Sequence, residues 1–223
     1  MISVNRRLSS NLSNEVRNVK RLRAARMVGP MIDPPFRRAT IKDAGTLAQF
    51  VEFVSEGLAL YLWTKIASAA HDPWHIGRAR VGSETGGLSY HNAVIGESAG
   101  CPASGLISYP LPDKAEPISD DHPAVLVPLH ELMNLALDTW YVHVLAAYPE
   151  YRGKGQGSAL LALADRLATS AGKQGLSLIV SDTNIGARRL YESSGYREAA
   201  QCKMVKEQWQ HPGVNWVLLR KVL

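Results

Sequence analysis

The sequence predicts an α/β domain: a single mixed sheet of six or seven strands flanked by helices. Three observations carry that prediction. Residues 140–161 pass from an apolar strand through a glycine-rich loop into a helix in one sweep. Residues 176–181 form a short continuous apolar run, the pattern of a parallel strand buried on both faces. Residues 90–96 and 104–109 are strand-like runs on either side of Gly100-Cys101-Pro102 and read as an antiparallel hairpin. At 223 residues, 46% hydrophobic and 20% charged, the chain is long enough for one globular domain with a sizeable core.

Charge and cysteine content narrow the class. The net charge of +5 is concentrated at the start, where residues 1–38 carry nine Lys and Arg against Glu15 and Asp33. The remainder holds 16 basic and 18 acidic residues, so no basic face for nucleic acid is expected on the folded part. No apolar run approaches a membrane span, so a membrane partner is not expected and a cytoplasmic protein is. Cys101 and Cys202 lie far apart, without metal-ligand spacing, and read as buried, inert thiols.

Taken in order, residues 1–35 have few apolar positions, no sustained period and a Pro/Gly-marked end, and read as a basic leader, disordered or loosely helical over 14–27. The composition also fits a transit peptide, but a tail or an over-long start, with Met27 and Met31 just before the fold, is the favoured reading. Residues 36–41 form a short strand. Asp43 is placed to cap a helix over 44–55, with Leu47, Phe50, Val51 and Val54 on one face. Gly57 breaks that pattern, and a second helix over 58–70 presents Leu58, Leu62, Trp63 and Ile66. Residues 71–87 are polar and read as turns. After the hairpin, residues 111–137 hold several prolines and acids, then a short helix from near Pro123, tolerated in a first turn. This segment reads as an insertion over the acceptor side of a cleft. The central strand covers 140–147. The next helix starts near Gly155 and is capped at Gly172. A strand over 176–181, a helix over 184–194 and strands over 196–206 and 214–222 complete the domain. The last strand, if exposed, could pair two copies of the chain.

The glycine loop, Arg152-Gly153-Lys154-Gly155-Gln156-Gly157, ends at Ser158 on a helix start. Glycines let successive N–H groups converge, and a helix start adds free donors and positive potential. That combination suits phosphate. The spacing G-x-G-x-G matches neither a P-loop nor a dinucleotide fingerprint. Arg152, Gly155 and Gly157 instead fill the pattern [QR]-x-x-G-x-[GA]. Downstream, Asn184, Ala187, Leu190, Tyr191, Gly195 and Tyr196 fill N-x-x-A-x-x-L-Y-x-x-x-G-[FY]. With both motifs in order, the chain from about Phe36 onward resembles the GCN5-related N-acetyltransferases (GNAT).

The resemblance implies a GNAT fold and direct transfer of acetyl from acetyl-CoA, as co-substrate, to a primary amine, without a metal. Phosphates would be held by Arg152, Gly153, Lys154, Gly155, Gln156, Gly157 and Ser158. The central strand would splay from its parallel neighbour after Asp182, next to a bulge, so that Leu145 and Ala147 could bond the pantetheine arm. Tyr191 occupies the position of the general acid. Asn184 would contact pantetheine or cap its helix. Strand alternation puts Tyr141, His143, Leu145 and Ala147 on one face. His143 is a candidate base, since imidazole titrates near neutrality; Glu97 is its rival. The helix pair 44–70 would line the acceptor side and offers Glu52, Glu56, Tyr61 and Trp63. The acceptor is a small-molecule amine, cationic if the acids near the cleft select it. A protein or peptide acceptor, or a CoA-binding module without turnover, are the alternatives.

Overall fold

The computed structural model describes residues 30–67 and 72–223. The expected leader lies outside the described residues as far as residue 29. Seven strands form one sheet: β1 (Phe36–Arg38), β2 (Ala93–Ser98), β3 (Cys101–Pro110), β4 (Trp140–Ala147), β5 (Gly175–Ser181), β6 (Arg197–Lys203) and β7 (Asn215–Val222). Their order is β1-β2-β3-β4-β5-β7-β6. Every neighbouring pair is antiparallel except β4 and β5, which are parallel. Six α-helices lie among the described residues: α1 (Ala44–Ser55), α2 (Leu58–Ile66), α3 (Pro73–Val81), α4 (Val127–Asn134), α5 (Gln156–Ser170) and α6 (Ile185–Ser193).

The core divides at the sheet. On one side Leu160, Leu161 and Leu163 of α5 and Tyr191 of α6 pack on Leu106, Val142, Leu178 and Val217. On the other, Leu47, Phe50 and Trp63 of α1 and α2 meet Ile95, Ile107 and Val144, while Leu132 of α4 meets Tyr141, Trp216 and Leu218. The hairpin between β2 and β3 turns at Ala99 and Gly100, both at positive φ (50° and 77°), one residue earlier than the proline suggested. Two left-handed residues match the twist of the strands they join.

The structure changes several expectations. Residues 71–87 include a helix, α3. Asp72 caps it by accepting the Trp74 N–H, and Pro73 occupies its first turn. Its apolar period is weak because one of its closest approaches uses an absent side chain: a Cβ on Gly77 would lie 2.6 Å from the Trp63 ring, which Trp74 also meets edge-on. The last strand, β7, lies between β5 and β6 and so has no free edge; β1 and β6 are the edge strands. The cysteines are free, but Cys101 is exposed and Cys202 half-buried, because one sits at the hairpin turn and the other on edge strand β6. Segment 111–137 lays α4 against β6 and β7. No helix among the described residues is long and apolar enough to cross a membrane.

Candidate active site

The parallel partners β4 and β5 are paired only at Trp140–Leu176 and Tyr141–Ser177. Beyond that point they diverge, and a cleft of about 830 Å³ opens between them. Val142, His143, Leu145 and Ala147 line one wall; Ile179, Val180 and Ser181 line the other. The splay therefore begins well before Asp182, at the apex closed by the 2.6 Å hydrogen bond between the Thr139 and Ser177 hydroxyls.

A β-bulge sits on the open side. Ile107 pairs with Val144 and Ser108 with Val142, so His143 has no partner on β3. The extra residue resets the side-chain alternation. Tyr141 packs with the α4 side of the core, whereas Leu145 packs against the α5 side. The expected shared face of Tyr141, His143, Leu145 and Ala147 is thus broken at His143. The backbone phase beyond the bulge is set by Tyr148, whose N–H bonds Ala103 O at 3.0 Å. By alternation Ala147 and Leu145 turn their N–H and C=O groups away from β3, into the cleft.

At the outer end, Gly153 (φ 70°) and Gly155 (φ 79°) turn the loop into α5. A Cβ at either would meet nothing within 4 Å, so the backbone faces open space. The first helical bond runs from Ala159 N–H to Gly155 O at 3.0 Å. The amides of Gln156, Gly157 and Ser158 precede that ladder and are directed at the cleft mouth. Arg152, Gly153, Gly155, Gln156, Gly157 and Ser158 all line the cleft. Lys154 sits outside the lining, 5.4 Å over the Tyr151 ring. Gln156 also accepts from the Ser104 hydroxyl at 2.9 Å, which ties the loop to β3. Gly157 has a packing role: a Cβ there would lie 2.8 Å from Leu190, so its absence lets α6 approach α5.

The remaining expected residues separate into two groups. Tyr191 is buried yet lines the cleft, and burial raises its pKa to about 12. Asn184 caps α6 by accepting Ala187 N–H at 3.1 Å, and its amide donates to Glu56 at 2.6 Å. His143 lines the cleft half-buried, shares a 2.9 Å hydrogen bond with the Tyr109 hydroxyl, and has its pKa pushed down to about 4 by desolvation. Glu97, in contrast, is not in the cleft wall. It takes the Arg37 Nε–H at 2.6 Å, and Arg37 in turn binds Asp43 at 2.9 Å. No residue of segment 111–137 lines the cleft either.

Of the residues the helix pair offers, Glu56 reaches the cleft wall from the end of α1, and His211, to which the sequence assigned no role, joins it from the β6–β7 loop by hydrogen-bonding its carboxylate. The resemblance places Glu56 on the acceptor side with Glu52, Tyr61 and Trp63; of these four only Glu56 lines the cleft.

Residues 97–196 match the model of the acetyltransferase (GNAT) family. Over that segment the chain is similar to the GNAT family. Over 58 residues it is 41% identical to an uncharacterized N-acetyltransferase, YycN, of Bacillus subtilis (strain 168). That match spans 26% of this chain and 37% of the relative, so it covers little more than a third of the curated protein's length. Solved structures share the fold. An acetyltransferase crystal structure, 23% identical, superposes with a TM-score of 0.57 over 84% of this chain and 98% of its own. An N-acetyltransferase from Staphylococcus aureus Mu50, 16% identical, gives 0.53 over 83% and 98%.

Proposed function

We propose that the chain is an N-acetyltransferase that takes acetyl from acetyl-CoA and passes it directly to the primary amine of a small molecule. The observation that carries this reading is the opened edge of β4. Backbone groups of Leu145 and Ala147 run from the amides at the start of α5 down to the bulge at His143, with Tyr191 in the same cleft. A co-substrate with phosphates at one end and a thioester at the other suits that run. The phosphates would lie against the free amides of α5 and beside Arg152. The pantetheine arm would add to β4 as an extra strand. The thioester would then reach the bulge.

Transfer requires the amine lone pair to attack the carbonyl carbon, the C–S bond to break, and the thiolate to be stabilised. The Tyr191 phenol stays protonated at neutral pH because burial raises its pKa to about 12. It can therefore donate a hydrogen bond to the leaving sulfur throughout. Full proton transfer to a thiolate of ordinary basicity would be uphill by roughly 3 pH units. The sulfur's final proton therefore comes from the amine. His143 is uncharged at neutral pH and can accept a hydrogen bond from the attacking nitrogen. A panel of primary amines, incubated with acetyl-CoA and followed for free thiol, tests the reading. Amine-dependent thiol release is the expected result; CoA binding without release from any amine would leave a binding module instead.

A further inference from the structure

The structure assigns Glu56 as the carboxylate that receives the acceptor's ammonium group, with His211 as its positioning residue. This rests on the N-acetyltransferase reading above and supplies what that reading lacks, a group in the cleft that attracts and deprotonates a cation.

The backbone gives the first indication. Glu56 ends α1 in the left-handed region, at φ 51° and ψ 44°, and Gly57 follows at φ 94°. A glycine at 56 would make the same turn without the strain that a side chain brings there. That turn fixes where the Glu56 side chain leaves the backbone. The side chain is directed into the cleft and is 29% exposed.

The hydrogen bonds give the second. One carboxylate oxygen accepts from the Asn184 amide at 2.6 Å. The other pairs with His211 Nε2. The His211 side chain is 1% exposed, and its Nδ1 lies 2.9 Å from the Gly213 N–H. A backbone N–H can only donate, so Nδ1 is unprotonated and the proton sits on Nε2, pointing at Glu56. His211 is thus a neutral donor. Trp209 stacks on its ring at a centroid distance of 4.6 Å and donates its indole N–H to Glu56 O at 3.1 Å. The β6–β7 loop is clasped to the end of α1 by these contacts.

The consequence is a charge balance. Asn184 and His211 orient the carboxylate but are both uncharged, so neither cancels its charge. A carboxylate has about four acceptor positions, and these partners take two. The remaining positions face a cleft that also holds Tyr191 and the bulge. A primary ammonium fits them. The bound ammonium gives one proton to Glu56, which passes it to water. The freed lone pair attacks the thioester carbon, the C–S bond breaks, and the nitrogen's surplus proton goes to the thiolate. The balance is RNH3+ plus acetyl-CoA giving the amide, CoA-SH and one H+.

The test uses the full chain, 2-phenylethylamine and 1,4-diaminobutane as probes, thiol release for rate and calorimetry for CoA. Glu56→Gln should lower kcat/KM for the amine about a hundredfold, the lower range of acid–base effects, with CoA affinity within twofold. His211→Phe should raise the amine KM with CoA affinity unchanged, and His211→Gln, which can place an N–H where Nε2 is, should restore it. Melting curves check that each variant folds; if His211→Phe does not, Glu56→Gln decides alone. Wild-type kcat/KM in Glu56→Gln with every active amine would overturn the assignment. A matching loss of CoA affinity would also overturn it, by placing Glu56 on the cofactor side. CoA binding with no thiol from the wild type would overturn the transferase reading, and this assignment with it.

Discussion

Arg152 Nε donates to the carbonyl of Ala147 at 3.1 Å, closing the glycine loop back on the end of β4. The side chain that opens the phosphate site thereby occupies one of the two acceptors turned into the cleft. A pantetheine arm must share or displace that bond, while the guanidinium moves on to phosphate. Arg152→Ala should weaken CoA binding roughly tenfold to a hundredfold, the range for a charge-assisted hydrogen bond. Calorimetry against CoA and against dephosphorylated pantetheine separates the two parts: only the phosphate-bearing ligand should lose affinity.

Gly155→Asp should abolish CoA binding in a protein that still folds. A Cβ there meets nothing within 4 Å, so packing survives and only the φ of 79° is strained. The cost of that strain is about 1–2 kcal/mol. The new carboxylate stands where free amides face the cleft mouth, and it repels phosphate. CoA affinity equal to wild type in a folded variant would remove the loop from the site.

Tyr191→Phe should lower kcat by about tenfold to a hundredfold and leave CoA affinity within twofold. The lost hydrogen bond strengthens as negative charge develops on the departing sulfur, so the transition state is affected more than the ground state. Equal kcat at saturating amine would take Tyr191 out of the mechanism.

His143 makes acid stability measurable. Its pKa is held near 4 in the folded chain, against about 6.5 when unfolded. The folded value is the lower one, so the unfolded chain binds the proton more readily between them. The stability is fully present above 6.5 and is lost as pH falls toward 4. Between pH 7 and pH 5 the loss is at most about 2 kcal/mol, given a half-buried ring. Urea unfolding at both pH values should show a smaller loss in His143→Gln than in wild type.

Glu97→Gln should leave kcat at its wild-type value, because Glu97 is bound to Arg37 outside the cleft. Its effect on stability should stay below about 1 kcal/mol, as for other partly exposed pairs. A large fall in kcat with unchanged stability would return Glu97 to the chemistry.

What the sequence determined by itself was local. Helix α1 over 44–55, strand β4 over 140–147, the start of α5 after Gly155 and the cap at Asn184 follow from period, propensity and cap chemistry within a few residues. The two motifs likewise fix which backbone amides and which tyrosine share a cleft, because each lies within a single loop or helix. Helix α3 escaped because part of its contact with Trp63 is made through the missing side chain of Gly77, which breaks the apolar period that Trp74 and Val81 would otherwise show. The bulge at His143 escaped because it is a relation between β3 and β4: one extra residue flips every later side chain, yet nothing in β4 alone records it. The same holds for Glu56 and His211, 155 residues apart in the chain. Their meeting depends on α1 ending in a left-handed turn and on β6 folding back outside β7, and only the closed tertiary structure sets both together.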